Sequence, residues 1–139
     1  MKRAEKEIMT AIMARLDGAL DYDVPIYGIH VPDNPYGKSN YYVEINHVGS
    51  SWYGYKGCPG QELEFIFQVW GKTKHMDVIS DILNNISVLI TTTNSQTVNL
   101  LTTTSFWVIY QFDAGSVVES YSPEINRGEV RILFVTEEK

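Results

Sequence analysis

Cysteine is almost missing from this chain: Cys58 is the only one in 139 residues, so no disulfide can form within it. A fold that needs no such staple suits a reducing compartment. Basic residues are also scarce, eleven Lys and Arg against seventeen Asp and Glu, for a net charge of −6 and a pI near 4.9. No Lys or Arg occurs from residue 76 to 126. Gripping a nucleic-acid backbone takes clustered cations, so a nucleic-acid-binding role through that half is disfavoured, and the acidic balance repels DNA and anionic membranes alike. No run of about 18 apolar residues is present, which predicts no membrane-spanning helix. Near the start, Glu5, Glu7 and Thr10 interrupt the apolar residues, so the N-terminus does not read as a signal peptide.

What remains is the composition of a globular protein: 44% hydrophobic, 12% aromatic and 20% charged. The length predicts one domain over 1–139, large enough to bury roughly 70% of the surface of its unfolded chain. Residues 3–20 predict an amphipathic helix, with Ile8, Ile12, Leu16 and Leu20 on one stripe and Pro25 beyond its end. A short strand is expected at 26–31, then a loop through Pro32, Asp33, Asn34, Pro35, Tyr36 and Gly37. Strict alternation at 41–48 and 62–70 predicts two antiparallel strands, the second turning Leu63, Phe65, Phe67 and Val69 to one face. The glycine-rich stretch 49–60 between them reads as an extended loop. A second helix over 74–90 follows from the stripe Met76, Ile79, Leu83, Ile86 and Ile90, with Thr73 as its N-cap. The last third predicts strands at 96–101, 105–112 and 129–136. Phe106, Val108, Tyr110 and Phe112 share a face of the second, and a polar connection spans 113–126. The resulting fold class is α+β: a mostly antiparallel sheet with two helices packed on one face and long inter-strand loops.

Chemical motifs are few. His30, His47 and His75 have no partner at a zinc-binding spacing, and Cys58 has no base beside it in sequence. Glu62 and Glu64 share a strand face about 7 Å apart, which more commonly marks a solvated face than an acid–base pair. No phosphate-cradling or nucleophile motif appears. These absences predict no catalytic, metal or cofactor site. The unusual feature is aromatic: Trp52, Tyr53 and Tyr55 in the 49–60 stretch, with Tyr36 in the preceding loop. Burying one such ring is worth roughly 4–6 kcal/mol. They form either a contact surface for another protein or a flap over the chain's own core.

In layout the whole chain resembles the tail-completion family of long-tailed bacteriophages, which includes the tail terminators. The resemblance runs from the opening helix at Ala4–Leu16 to the strand Tyr41-Tyr42-Val43-Glu44-Ile45. It continues through Phe65-Ile66-Phe67-Gln68-Val69-Trp70-Gly71, a strand ending in Trp, and the helix at Val78–Leu83, to the closing strand at Arg127–Phe134. The resemblance implies a non-enzymatic virion protein, assembled in the host cytoplasm and resident in the virion tail. It implies self-association, typically as a hexameric ring on the last ring of the tail tube. That ring ends tube polymerisation and offers a surface to the head–tail connector or stopper, while DNA only passes through the lumen. Tyr36, Trp52, Tyr53 and Tyr55 are then the expected assembly residues. Two other readings stay open: a head–tail connector, stopper or other minor virion protein, and a small ligand-binding α+β domain with a pocket lined by Phe65, Phe67, Trp107 and Tyr110.

Overall fold

A computed structural model describes residues 3–28, 30–55, 58–72, 76–91 and 103–139, without the side chains at 53–55 and 58–59. The element order is α1 (Glu5–Leu16), β1 (Ile26–Tyr27), β2 (Tyr41–Tyr55), β3 (Cys58–Gly71), α2 (Met76–Thr91), β4 (Phe106–Ser120) and β5 (Asn126–Glu138). The strands form one sheet in the order β1-β2-β3-β5-β4, in which only the β1–β2 pairing is parallel. The α+β fold class read from the sequence is therefore the observed one.

Alternation sorts the sheet into two faces. Val43 and Ile45 of β2, Leu63, Phe65, Phe67 and Val69 of β3, and Val130, Ile132 and Phe134 of β5 all point to the core. Both helices cover that face. α1 contributes Ile8, Ile12 and Leu16, and α2 contributes Ile79, Ile82, Leu83, Ile86 and Ile90. Burying the five α2 side chains is worth at most about 8–15 kcal/mol, an upper bound because the unfolded chain already shields part of them. Met76, expected on that stripe, is exposed at the helix start.

α1 has no side-chain cap of its own. Instead the buried Ala4 N–H donates to Gln61 Oε1 at 2.8 Å, a partner 57 residues away on β3. Thr136 Oγ1 donates to the Gln61 carbonyl at 3.1 Å, so β5, β3 and α1 are joined at one buried point. At the far end of the sheet α2 approaches the backbone closely. A Cβ placed on Gly128 would lie 2.5 Å from Ile79 Cγ2 and 2.8 Å from Leu83 Cδ1, a separation only glycine permits.

Several expectations change. The strands are longer and the loops shorter than the sequence suggested. Residues 49–55 and 58–60 are strand rather than loop, because Gly49 to Tyr55 pair with Glu64 to Cys58; this lengthens the β2–β3 hairpin, and only its last pairs, Gly54–Pro59 and Tyr55–Cys58, pass the end of the β3–β5 ladder. Most of the 113–126 connection is strand as well, with only 121–125 left as a turn. Glycine and serine there gave no alternation to read, yet ladder hydrogen bonds need none. The 26–31 strand shrinks to two residues. In β4 a register shift between Val108 and Tyr110 breaks the expected common face: Phe106 and Val108 point inward, while Tyr110 is exposed. The expected strand at 96–101 and the Thr73 cap lie outside the described residues.

Candidate assembly surfaces

Among the described residues the second face of the sheet carries no helix, and its side chains decide what the molecule can dock against. Its central strands alternate carboxylates with apolar groups: Glu62, Glu64 and Ile66 from β3, Glu129, Leu133 and Val135 from β5. Arg131 Nη1 lies 3.1 Å from Glu64 Oε1 and its Nε 3.7 Å from Glu129 Oε2, so this cation ties neighbouring strands together. Such half-exposed pairs add about 0–1 kcal/mol each and chiefly fix side-chain positions. Glu64 is thus an ion-pair partner across the β3–β5 ladder, with no acid–base partner placed beside it.

At the end of this face where β2 begins and β3 ends, aromatic rings form a continuous row. Tyr36 meets Tyr42 edge-on at 4.8 Å, Tyr42 stacks on Trp70 at 6.3 Å and 16°, and Trp70 meets Tyr121 edge-on at 5.0 Å. Tyr27 also meets Tyr42, at 6.1 Å, and its hydroxyl donates to the Pro35 carbonyl at 2.8 Å. Cations close the row: Lys72 Nζ sits 4.6 Å over Tyr36, and the Arg127 guanidinium lies 5.7 Å from both Trp70 and Tyr121 while paired with Glu119. Pairs of this kind are worth about 0.5–1.5 kcal/mol beyond area burial. Burial pushes the Tyr42 hydroxyl up to about 12, helped by the neighbouring Tyr36, Glu44 and Tyr27, and burial raises Tyr36 as well. The row pins the 31–40 loop to the sheet.

The four aromatic residues singled out from sequence therefore part company. Tyr36 is half-buried within this row. Trp52 stands on the hairpin extension with 42% of its surface exposed, the Arg3 guanidinium 6.0 Å from its ring. Tyr53 and Tyr55 lie on the same extension, paired with Gly60 and Cys58, and their side chains are outside the described part. The exposed apolar groups that sequence reasoning missed lie on β4: Trp107 (48%), Ile109 (47%), Tyr110 (52%) and Val117, with Tyr121 just beyond it. Among the described residues β4 is an edge strand with β5 as its one neighbour in the sheet, and long apolar edge strands are ready docking templates. The pocket expected from Phe65, Phe67, Trp107 and Tyr110 does not form. Phe65 and Phe67 are sealed under the helices, whereas Trp107 and Tyr110 are exposed away from the core.

A groove of about 660 Å³ runs along the α1–β1 connection with Asp17, Asp21 and Asp23 on its walls. Its polar groups hold the connection to α2: the Asp21 N–H donates to Asn85 Oδ1 at 2.9 Å, and the Tyr22 hydroxyl to Asp81 Oδ2 at 3.1 Å, a bond that raises the Tyr22 pKa. Among the described residues, no group of three or more His, Cys, Asp or Glu side chains is placed to hold a metal ion. His47 is half-buried on β2, 5.2 Å from the Phe65 ring. No helix among the described residues is long and apolar enough to cross a membrane.

No family model matches the sequence, and no curated protein matches it. Solved structures do. A chain from the virion of a native gene transfer agent particle superposes with a TM-score of 0.67 at 12% identity, over 94% of this chain and 91% of that one. At this identity the likeness is one of fold, and it takes in nearly all of both chains. A chain of the sheath/tube terminator of an extracellular contractile injection system in its extended state gives a TM-score of 0.49 at 14% identity, over 97% of this chain but 57% of that one.

Proposed function

We propose that this chain is a structural protein of a phage-like tail: it docks on the end of the tail tube as a ring, typically of six copies, ends tube polymerisation and presents the tail side of the head–tail joint. The observation that carries this reading is the end-to-end likeness of fold to a chain of a gene transfer agent virion. The surfaces suit it. A ring needs a heterologous contact, one patch of a subunit meeting a different patch of the next, and the apolar β4 edge is separated by the whole sheet from the β1 edge. A terminator must also match the tube on one side only. The end of the β2–β3 hairpin, with Trp52, Tyr53 and Tyr55, supplies an aromatic contact for a neighbouring subunit or the tube, and an acidic open sheet face lets DNA pass without sticking. The mechanism is steric; no bond is made or broken.

The test adds the purified chain to its polymerising tube protein and images the products by electron microscopy. Tubes of shortened length capped by a ring support the reading. Tubes of unchanged length and bare ends refute it. A chain that instead binds the portal-side proteins and leaves the tube bare is a connector or stopper.

A further inference from the structure

β4 carries two irregularities within six residues. Its register on β5 shifts between Val108 and Tyr110 and again between Asp113 and Gly115, so Ile109 and Ala114 are extra residues in the ladder. Between them Tyr110 pairs with Val135, Gln111 with Phe134, Phe112 with Leu133 and Asp113 with Ile132. Phe134 and Ile132 face the core, so this register sends Gln111 inward. There Gln111 is 2% exposed, and neither Oε1 nor Nε2 has a hydrogen-bond partner. Tyr110 is sent outward and left 52% exposed. The residue pattern asks for the reverse: Phe106, Val108, Tyr110 and Phe112 fall at every second position, with Gln111 between them.

We infer that the segment 109–113 has two registers against β5 and passes between them by migration of a bulge. Sliding the segment by one residue pairs Ile109 with Val135, Tyr110 with Phe134, Gln111 with Leu133 and Phe112 with Ile132. The extra residue moves from Ile109 to join Ala114, so the pairs of Phe106–Val108 and of Gly115–Ser120 stay as they are. The slide releases the orphaned amide to solvent and buries two aromatic rings, both favourable. It is opposed by Asp113, whose Oδ2 accepts from Ser87 Oγ at 2.9 Å and whose Oδ1 accepts from the Gly115 N–H at 2.7 Å, and by the larger volume of Tyr where Gln sat. Gly115, at φ +132°, provides the backbone freedom beside the receiving bulge. Among the described residues β4 has no second neighbouring strand whose ladder must break. The observed register displays Tyr110 beside Trp107 and Ile109 on the surface, and the other withdraws it.

Nuclear magnetic resonance of the full chain tests this through cross-strand backbone contacts. In the wild type, exchange broadening confined to residues 109–114 is expected, with neighbouring β4 amides sharp. Gln111→Leu, which suits the observed register, abolishes the broadening and keeps the Tyr110–Val135 contact. Asp113→Ala, which removes both bonds holding that register, replaces it with the Ile109–Val135 contact. The inference is overturned if Gln111→Leu leaves the segment's exchange unchanged. It is equally overturned if a folded Asp113→Ala shows the wild-type contacts alone; should that variant not fold, Gln111→Lys is read the same way.

Discussion

Replacing Gly128 with Ala tests how tightly α2 is pressed onto the sheet. The added Cβ would sit 2.5 Å from Ile79 Cγ2 and 2.8 Å from Leu83 Cδ1. Carbon atoms in contact prefer about 3.5–4.0 Å, so the helix or its side chains must withdraw by about 1 Å. Overpacking of this kind costs about 1–3 kcal/mol, and reduced freedom of the unfolded chain returns about 0.4–1 kcal/mol. The net loss is up to about 2.6 kcal/mol, which for a chain of this length lowers the melting temperature by up to about 10 °C. Calorimetry against Gly49→Ala supplies the control, since a Cβ there meets nothing within 4 Å and the variant should match or exceed the wild type. A second variant isolates the contact: Ile79→Ala alone costs about 2–5 kcal/mol, but costs less when Gly128→Ala is already present, because the two atoms no longer collide. A Gly128→Ala protein that melts above the wild type, or penalties that simply add, would refute the close approach.

Three further outcomes follow from other contacts. Gln61→Ala removes the acceptor of the buried Ala4 N–H and should cost about 1–3 kcal/mol in urea unfolding, with faster amide exchange in the first turn of α1; unchanged exchange there would show that another group caps the helix. Because the folded chain holds the Tyr42 proton up to about pH 12 while an unfolded tyrosine releases it near 10, the stability that Tyr42 contributes should be constant below pH 10 and be lost as pH rises from there towards 12; Tyr42→Phe should lessen that fall, as followed by circular dichroism. Trp52→Ala should change stability by less than about 0.5 kcal/mol yet weaken docking to the tube, whereas Tyr36→Ala, which breaks the aromatic row, should cost about 1–2 kcal/mol in stability; equal thermal losses in both would remove Trp52 from the assembly surface.

The aromatic residues show how far the candidate surface could be read in advance. Trp52 stood out because a large ring in a glycine- and serine-rich stretch has no periodic reason to be there, and it is exposed. Tyr36 stood out for the same reason, but it is tied down by Tyr42 and Lys72, which lie several to many residues away along the chain. Trp107 and Tyr110 were expected to line a pocket, and Ile109 drew no attention, because all three sit in an apolar strand that looks like any core strand. Only the sheet order makes that strand an edge, and only a bulge turns Tyr110 outward.

By itself the sequence determined what period and composition encode. The 3.6-residue stripes of α1 and α2, the two-residue alternation of β2, β3 and β5, and hence an α+β layering with one greasy sheet face are local properties, because each side chain's direction follows from its neighbours a few positions away. The tertiary structure decided the rest. It alone set the strand order, the extension of β2 and β3 through residues with no pattern, the cap that Gln61 lends to α1, and the inward turn of Gln111. Each of these is settled by a partner far along the chain, through hydrogen bonds and steric fit that no window of sequence contains.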